Sequence, residues 1–220
     1  MLTYDDIRQN AEVNALLEAG NHALGVLGYT DHGRGHAAMA AQTAAAVLSQ
    51  LGYDGRTCEL ARIAGYLHDI GNAVNRQGHA HSGALLAYQI LTGLGMDPEE
   101  KAQVITAIGN HDEKTASAVT PLSAALILAD KSDVRRSRVR VAPEDPAFDI
   151  HDRVNYAVES AVLTVKEDKR RITLAIRIDT EICAVMDYFE IFLTRMTLCR
   201  DAAAFFGREF ELRINETRML

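Results

Sequence analysis

The chain has 220 residues, of which 48% are hydrophobic and 24% are charged, and its net charge is −7. This composition is typical of a globular protein with one large domain, or one domain and an appendage. The negative charge argues against a general nucleic-acid binder. No apolar run approaches the roughly 20 residues that span a bilayer, so we expect no membrane insertion.

The amino terminus and the cysteines both indicate a cytoplasmic protein. Asp5 and Asp6 stand where a signal peptide would carry basic residues, so we expect no such peptide. Cys58, Cys183 and Cys199 show no metal-ligand spacing. We therefore expect buried thiols in a reducing compartment.

The first 140 residues show the apolar periodicity of helices. Thr3 and Asp6 are spaced as a capping box, while Asp97–Pro98 and Thr120–Pro121 combine a capping side chain with proline at the first helical position. Gly71 is typical of a helix end. Helices are predicted at about residues 3–27, 37–51, 56–69, 83–94, 97–108 and 120–130.

After residue 140 the pattern becomes mixed. Pro143 and Pro146 bound a loop, and Glu167–Asp168–Lys169 is predicted as the turn of a hairpin. Alternation predicts strands near residues 161–165, 172–178 and 210–214, and helices are predicted at 149–157 and 180–206. The prediction is a mainly α protein with a helical domain at residues 1–140 and an α+β extension at 141–220. The extension would be a three-stranded antiparallel sheet with one long helix.

The long predicted helix carries an apolar stripe that includes Phe189, Phe192 and Phe206. Such a stripe is more often core or dimer contact than a cofactor site. A small sheet is only marginally stable alone and cannot cover so much apolar surface. We therefore expect this helix to pack on the helical domain and to form a two-fold homodimer interface, with a monomer as the alternative. The stripe is formed by Ile182, Val185, Met186, Phe189, Phe192, Leu193, Met196, Cys199, Ala203 and Phe206.

Polar residues recur at the ends of the apolar helices in the first domain. The His68–Asp69 dipeptide closes one such helix, where an unpaired buried charge would cost several kcal/mol. A divalent metal ion would pair with both side chains, and the repeated context favours a metal site over separate structural roles. The candidate ligands are His36, His68, Asp69, His79 or His81, His111 and Asp130.

Imidazoles and carboxylates together favour manganese, iron, cobalt, nickel or zinc, and magnesium less. Four ligands would hold one ion with open positions. Six ligands with a bridging carboxylate would hold two ions.

These residues resemble the HD-domain superfamily of metal-dependent phosphohydrolases. Its signature is a His, a His-Asp dipeptide and a distant Asp on a helical bundle, and His36, His68–Asp69 and Asp130 match in order. The resemblance covers about residues 20–135 and is closest to the small dinuclear members.

Two histidines between the dipeptide and the last Asp are typical of dinuclear members. His79 fits in register within His79–Ala80–His81–Ser82–Gly83–Ala84, and His111 closes the next helix. His81 is the alternative to His79 as a ligand, or contacts substrate.

The resemblance implies a hydrolase that uses a metal-activated water on a phosphoester or phosphoanhydride of a small, nucleotide-like substrate. His36, His68 and Asp130 would hold one ion, His79 and His111 the other, and Asp69 both. The implied catalytic residues are Asp69, His79 and His111. The ions would lower the pKa of bound water and neutralise phosphate oxygens.

Basic side chains near the candidate ligands are candidates for contact with phosphate. For any one of them, solvated surface charge is the alternative. The candidates are Arg34, Arg76, His81, Lys131, Arg135 and Arg136. Two other functions are compatible with this architecture: a non-catalytic metal- or ligand-binding regulatory module, and a di-iron oxygenase.

Overall fold

The computed structural model describes residues 1–145, 147–166 and 170–219 and is mainly helical, with a small sheet toward the carboxy terminus. Pro146 and the predicted turn at residues 167–169 lie outside the described residues. The helices are α1 (Tyr4–Gln9), α2 (Ala11–Val26), α3 (Arg34–Leu51), α4 (Gly55–Leu67), α5 (His79–Gly93), α6 (Pro98–Gly109), α7 (Pro121–Ser132), α8 (Ile150–Ala157) and α9 (Val185–Phe205). The strands are β1 (Val158–Val165), β2 (Arg171–Ile178), β3 (Glu209–Ile214) and β4 (Thr217–Arg218). Two 3₁₀ helices span Ile70–Ala73 and Arg136–Arg138.

Side chains at the helix starts explain where the chain turns. The predicted capping box of Thr3 and Asp6 is confirmed, and Asp97 and Thr120 cap α6 and α7 as predicted. The single helix predicted at residues 3–27 is wrong, because Asn10 is extended and its side chain accepts from the Val13 amide. An asparagine cap of this kind begins a new helix.

The helices α3 and α4 approach closely because small residues line their contact. A Cβ atom added at Gly65 would lie 2.6 Å from Ala41 Cα. Several alanines of α3 are fully buried, among them Ala37, Ala40 and Ala44. This short separation brings the start of α3 beside the end of α4.

Gly71 has a different role from the one predicted. The helix α4 ends at Leu67, and Gly71 lies in the following 3₁₀ helix without the positive φ angle of a helix-ending glycine. A Cβ atom there would lie 2.0 Å from His79 O and 2.5 Å from Gly83 N. Glycine is therefore required by the close approach of α5.

The sheet has strand order β1-β2-β3-β4. The pair β1–β2 is antiparallel, and Ile172, Leu174, Ile176 and Ile178 are buried, as the alternation predicted. The prediction of three antiparallel strands is wrong in two respects. A fourth short strand is present, and β2–β3 is parallel because α9 carries the chain across before β3 begins, as a parallel connection requires.

The extension packs on the helical domain through α9, which contacts α7. Tyr188, Phe192, Met196 and Cys199 are buried in this contact face. The predicted stripe was too wide, since Met186 is 74% and Leu193 53% exposed. The helix also starts at Val185 rather than near residue 180.

All three cysteines are buried and free, as predicted. Among the described residues, no helix is long and apolar enough to cross a membrane. The division of the chain near residue 140 stays a prediction.

Candidate metal centre

Six side chains from five helix ends converge on one buried point. His36 lies in the first turn of α3, and His68 and Asp69 directly follow α4. His79 opens α5, which starts earlier than predicted. His111 follows α6, and Asp130 lies in the last turn of α7. Asp130 is partly exposed and the other five are buried.

The first group of ligand atoms comes from α3, α4 and α7. His36 Nε2 lies 3.2 Å from His68 Nε2 and 3.2 Å from Asp130 Oδ1. Asp69 Oδ2 lies 3.3 Å from His68 Nε2 and 3.7 Å from His36 Nε2. Four donor atoms thus surround one space.

The second group comes from α5 and α6. His79 Nε2 lies 3.1 Å from His111 Nε2. The other oxygen of Asp69, Oδ1, lies 3.5 Å from His79 Nε2 and 3.9 Å from His111 Nε2. The Asp69 carboxylate therefore stands between two histidine pairs and gives one oxygen to each.

The Nδ1 atom of each histidine in the cluster is fixed by an acceptor. His68, His79 and His111 bond the carbonyl oxygens of Gly65, Arg76 and Ile108, and His36 Nδ1 lies 2.7 Å from Asp133 Oδ2. Since a carbonyl or carboxylate oxygen only accepts, Nδ1 carries the proton. In the neutral form of each ring, Nε2 then presents a lone pair to the cluster, which is the arrangement of a metal-bound histidine.

The separations fit ligands around a cation. Two lone pairs facing each other at 3.1–3.2 Å repel unless a proton or a metal ion lies between them. Bonds of about 2.1 Å place neighbouring ligands about 3.0 Å apart at right angles and about 3.4 Å apart in a tetrahedron. In addition, the buried Asp69 Oδ2 has no hydrogen-bond partner among the described residues. Two sets of these side chains lie close enough together to bind a divalent metal ion: His36, His68 and Asp130, and His68, Asp69 and His111.

Comparison with known proteins agrees with this geometry. The HD domain family model matches residues 33–137. An uncharacterized protein of Methanocaldococcus jannaschii is 30% identical in an alignment of 190 residues that covers 76% of this chain and 73% of that protein. The chain belongs to the HD-domain superfamily. That superfamily consists generally of metal-dependent hydrolases, so the membership agrees with a metal-binding cluster.

The electrostatics of the HD-domain cluster keep its carboxylates ionised. Burial alone would raise the pKa of Asp69, but His68 and His111 outweigh it and hold that pKa well below its usual range. Burial likewise opposes ionisation of Asp130, and Lys131 and His36 outweigh it, so its pKa is also well lowered. An ionised carboxylate is the form that binds a metal ion.

The histidines of the two groups differ in their pKa. Burial lowers the pKa of His79 to about 4 and also lowers that of His111. Burial would lower the pKa of His68 too, but Asp69 and Asp130 outweigh it and raise that pKa. The pair on α5 and α6 is therefore neutral at pH 7, as metal binding requires.

Two residues at the HD-domain centre were missed by the sequence analysis. Asp133 holds His36 and is itself bound by Arg135 Nε at 2.7 Å. Asn72 donates to Asp69 Oδ1 at 2.8 Å. Each lies three positions after a predicted ligand, which is the local signal that they share. Asp133 directly follows α7, whereas Asn72 lies within the 3₁₀ helix that follows Asp69.

Three of the predicted phosphate-binding residues lie at the cluster. Arg76 Nη1 lies 3.4 Å from His79 Nε2. Lys131 Nζ donates to the second oxygen of Asp130 at 2.6 Å, so it orients that carboxylate. Arg135 binds Asp133, the carboxylate that holds His36, and so contacts the cluster indirectly.

The other three are engaged elsewhere or point to solvent. Arg34 forms an exposed ion pair with Glu18 at 2.8 Å. Arg136 donates to Tyr156 O at 2.6 Å and lies over that ring. His81 is exposed, whereas His79 is buried in the cluster.

Proposed function

We propose that this HD-domain protein is a phosphohydrolase that cleaves a phosphoester or phosphoanhydride of a small, nucleotide-like substrate. The observation that carries the proposal is the position of Asp69, whose two oxygens face separate histidine pairs. His36, His68 and Asp130 would hold one ion, His79 and His111 the other, and Asp69 both. Such mixed nitrogen and oxygen ligands favour manganese, iron, cobalt, nickel or zinc over magnesium.

The chain's own residues would hold the ions and the substrate. Ions bound here would lower the pKa of water and neutralise charge on phosphate oxygens. The acceptors on each Nδ1 keep the four imidazoles aligned, and Lys131 keeps Asp130 in place. Arg76 Nη1 lies 3.4 Å from His79 Nε2 in the second histidine pair, and this guanidinium would bind a phosphate oxygen.

The test is elemental analysis of protein purified without chelator, followed by phosphate release from a panel of nucleotide and sugar phosphates. We expect one or two transition ions per chain and hydrolysis that needs manganese, iron, cobalt, nickel or zinc and proceeds without oxygen. The variant Asp130→Asn links the two measurements, because it removes the charge of one ligand and should lose both metal and activity.

Two outcomes would contradict the proposal. Full metal content with no turnover of any phosphate compound would favour a regulatory module. Activity restricted to reduced iron with dioxygen would favour a di-iron oxygenase.

A further inference from the structure

The loop at residues 27–33, between α2 and α3, lies beside the cluster. Helix α2 packs against the 3₁₀ helix that follows Asp69. A Cβ atom added at Gly20 would lie 3.0 Å from Ala73 N, so the two backbones nearly touch. The loop that continues from α2 is thereby placed next to the segment that carries Asn72 and Arg76.

The backbone of this loop is held by the basic segment after α7. Arg140 Nε donates to Tyr29 O at 2.9 Å, and Arg138 Nε donates to Asp31 O at 2.8 Å. The Asp31 amide in turn donates to Arg138 O at 2.7 Å. These arginines therefore fix the loop, which gives a structural reason for their clustering in the sequence.

Tyr29 presents its ring at the edge of the cluster. The Arg76 guanidinium carbon lies 5.5 Å from the ring centroid, and Arg76 Nη1 reaches His79 Nε2 at 3.4 Å and Asn72 Oδ1 at 3.3 Å. With a guanidinium C–N bond of about 1.3 Å, the ring centroid lies within about 10 Å of the His79 ligand atom. The residue is 43% exposed, so part of its surface is open.

We propose that Tyr29 is a stacking surface for the base of a nucleoside 5′-phosphate. The inference rests on the proposed function, which places the phosphate at the ligand cluster and Arg76. One ribose separates phosphate from base in such a compound, and that span lies within the upper limit of about 10 Å between the ring centroid and His79 Nε2. Stacking of a base on an aromatic ring stabilises a bound nucleotide, and the Arg76 cation over the Tyr29 ring pre-orders both side chains.

A sugar phosphate without a base would bind Arg76 through its phosphate and would not stack on the Tyr29 ring. Tyr29 is thus a determinant of specificity, and its loss should weaken only compounds that carry a base. An effect on both classes of compound would instead mean that Tyr29 acts through the position of Arg76.

The experiment is calorimetric titration of the manganese-loaded full chain with two non-hydrolysable phosphonates, the analogues of adenosine 5′-monophosphate and of ribose 5-phosphate. We expect the wild type to bind the adenosine analogue about tenfold more tightly, which corresponds to about 1.4 kcal/mol. Tyr29→Leu should lose this preference and keep its affinity for the ribose analogue within about twofold. Tyr29→Phe should behave as the wild type.

The matched control is Tyr88→Leu. Tyr88 is a similarly exposed tyrosine on α5 with Lys101 Nζ 4.6 Å from its ring centroid, and its loss should change neither affinity. Equal wild-type affinities, or equal losses of both in Tyr29→Leu, would overturn the inference, as would failure to bind either analogue. Because binding is measured without turnover, a missing hydrolase activity would overturn the proposed function alone.

Discussion

At the scale of single residues, Asp69 connects the two halves of the cluster. Its oxygens lie 3.3 Å from His68 Nε2 and 3.5 Å from His79 Nε2. Asp69→Ala removes a side chain that faces both histidine pairs and leaves any bound cations with less negative charge. We expect this variant to lose most of its metal in elemental analysis.

The control for this change is Asp201→Ala, which removes an exposed carboxylate on α9. It should retain the metal content of the wild type. Full occupancy in Asp69→Ala would show that the assignment of a shared ligand is wrong.

His79 and His81 make a second pair of matched variants. His79 is buried with its Nε2 atom 3.1 Å from His111, whereas His81 is exposed. If His79 holds one of two ions, His79→Ala should halve the metal content per chain. His81→Ala should keep the metal and alter only the kinetics of hydrolysis. Elemental analysis that gave the reverse pattern would transfer the ligand role to His81.

At the scale of helices and strands, the contact of α3 with α4 sets the distance between His36 and His68. Gly65→Ala would place a methyl group 2.6 Å from Ala41 Cα, within backbone that cannot yield without moving a helix. Overpacking of this kind costs about 1–3 kcal/mol. We expect a lower thermal midpoint and, since the two imidazoles separate, reduced metal content.

Gly93→Ala provides the comparison for that variant. Gly93 also lies in a helix, and a Cβ atom there would meet no atom within 4 Å. Alanine stabilises a helix by up to about 1 kcal/mol relative to glycine. The thermal midpoint of Gly93→Ala should therefore be unchanged or higher. An equal fall in the thermal midpoints of Gly65→Ala and Gly93→Ala would argue against steric separation of α3 and α4.

Local chemistry determined which parts of the fold could be predicted. The starts of α1, α6 and α7 followed from Thr3, Asp97 and Thr120, because a capping hydrogen bond involves neighbours in sequence. The break at Asn10 carried the same signal but lay inside a continuous apolar pattern. The parallel pairing of β3 depends on contacts distant in sequence, and no local pattern encodes it.

The same distinction applies to the candidate site. That the polar residues at the helix ends would converge could be predicted, because each buried polar group requires a partner. The partner of His36, Asp133, is distant in the sequence and could not be identified from spacing alone. The direction in which a basic side chain points could not be predicted from the sequence either. Arg34 and Arg76 both lie near candidate ligands in the sequence, but of these two only Arg76 reaches the cluster.

At the scale of the whole molecule, α9 has one face on α7 and another in solvent. Met186 and Leu193 lie one above the other on the exposed face, two turns apart. Because exposed apolar patches commonly mark interfaces, we expect a homodimer through this face. Light scattering at micromolar concentration should give about twice the chain mass of 24.1 kDa.

Leu193→Glu should convert that dimer to a monomer without loss of metal. Leu85→Glu is the control, since Leu85 is an exposed leucine on α5 at another surface. A wild-type mass near 24.1 kDa would end the dimer prediction.

The extension is also connected to the loop that follows His111. Arg195 on α9 forms an ion pair with Glu113 at 3.3 Å, and its guanidinium lies 4.6 Å from the Phe192 ring centroid. Glu113 stands two positions after a proposed ligand. The partly buried ion pair therefore joins α9 of the extension to the loop beside the cluster.

During synthesis on the ribosome, the β1–β2 hairpin emerges well before residues 209–214, which form the other neighbour of β2. In that interval one edge of β2 has unpaired backbone groups beside the apolar side chains of Ile172 and Leu174. An open apolar edge is a template for pairing with another chain. We therefore expect this edge of β2 to be a site of aggregation until the crossover by α9 is complete and β3 pairs with it.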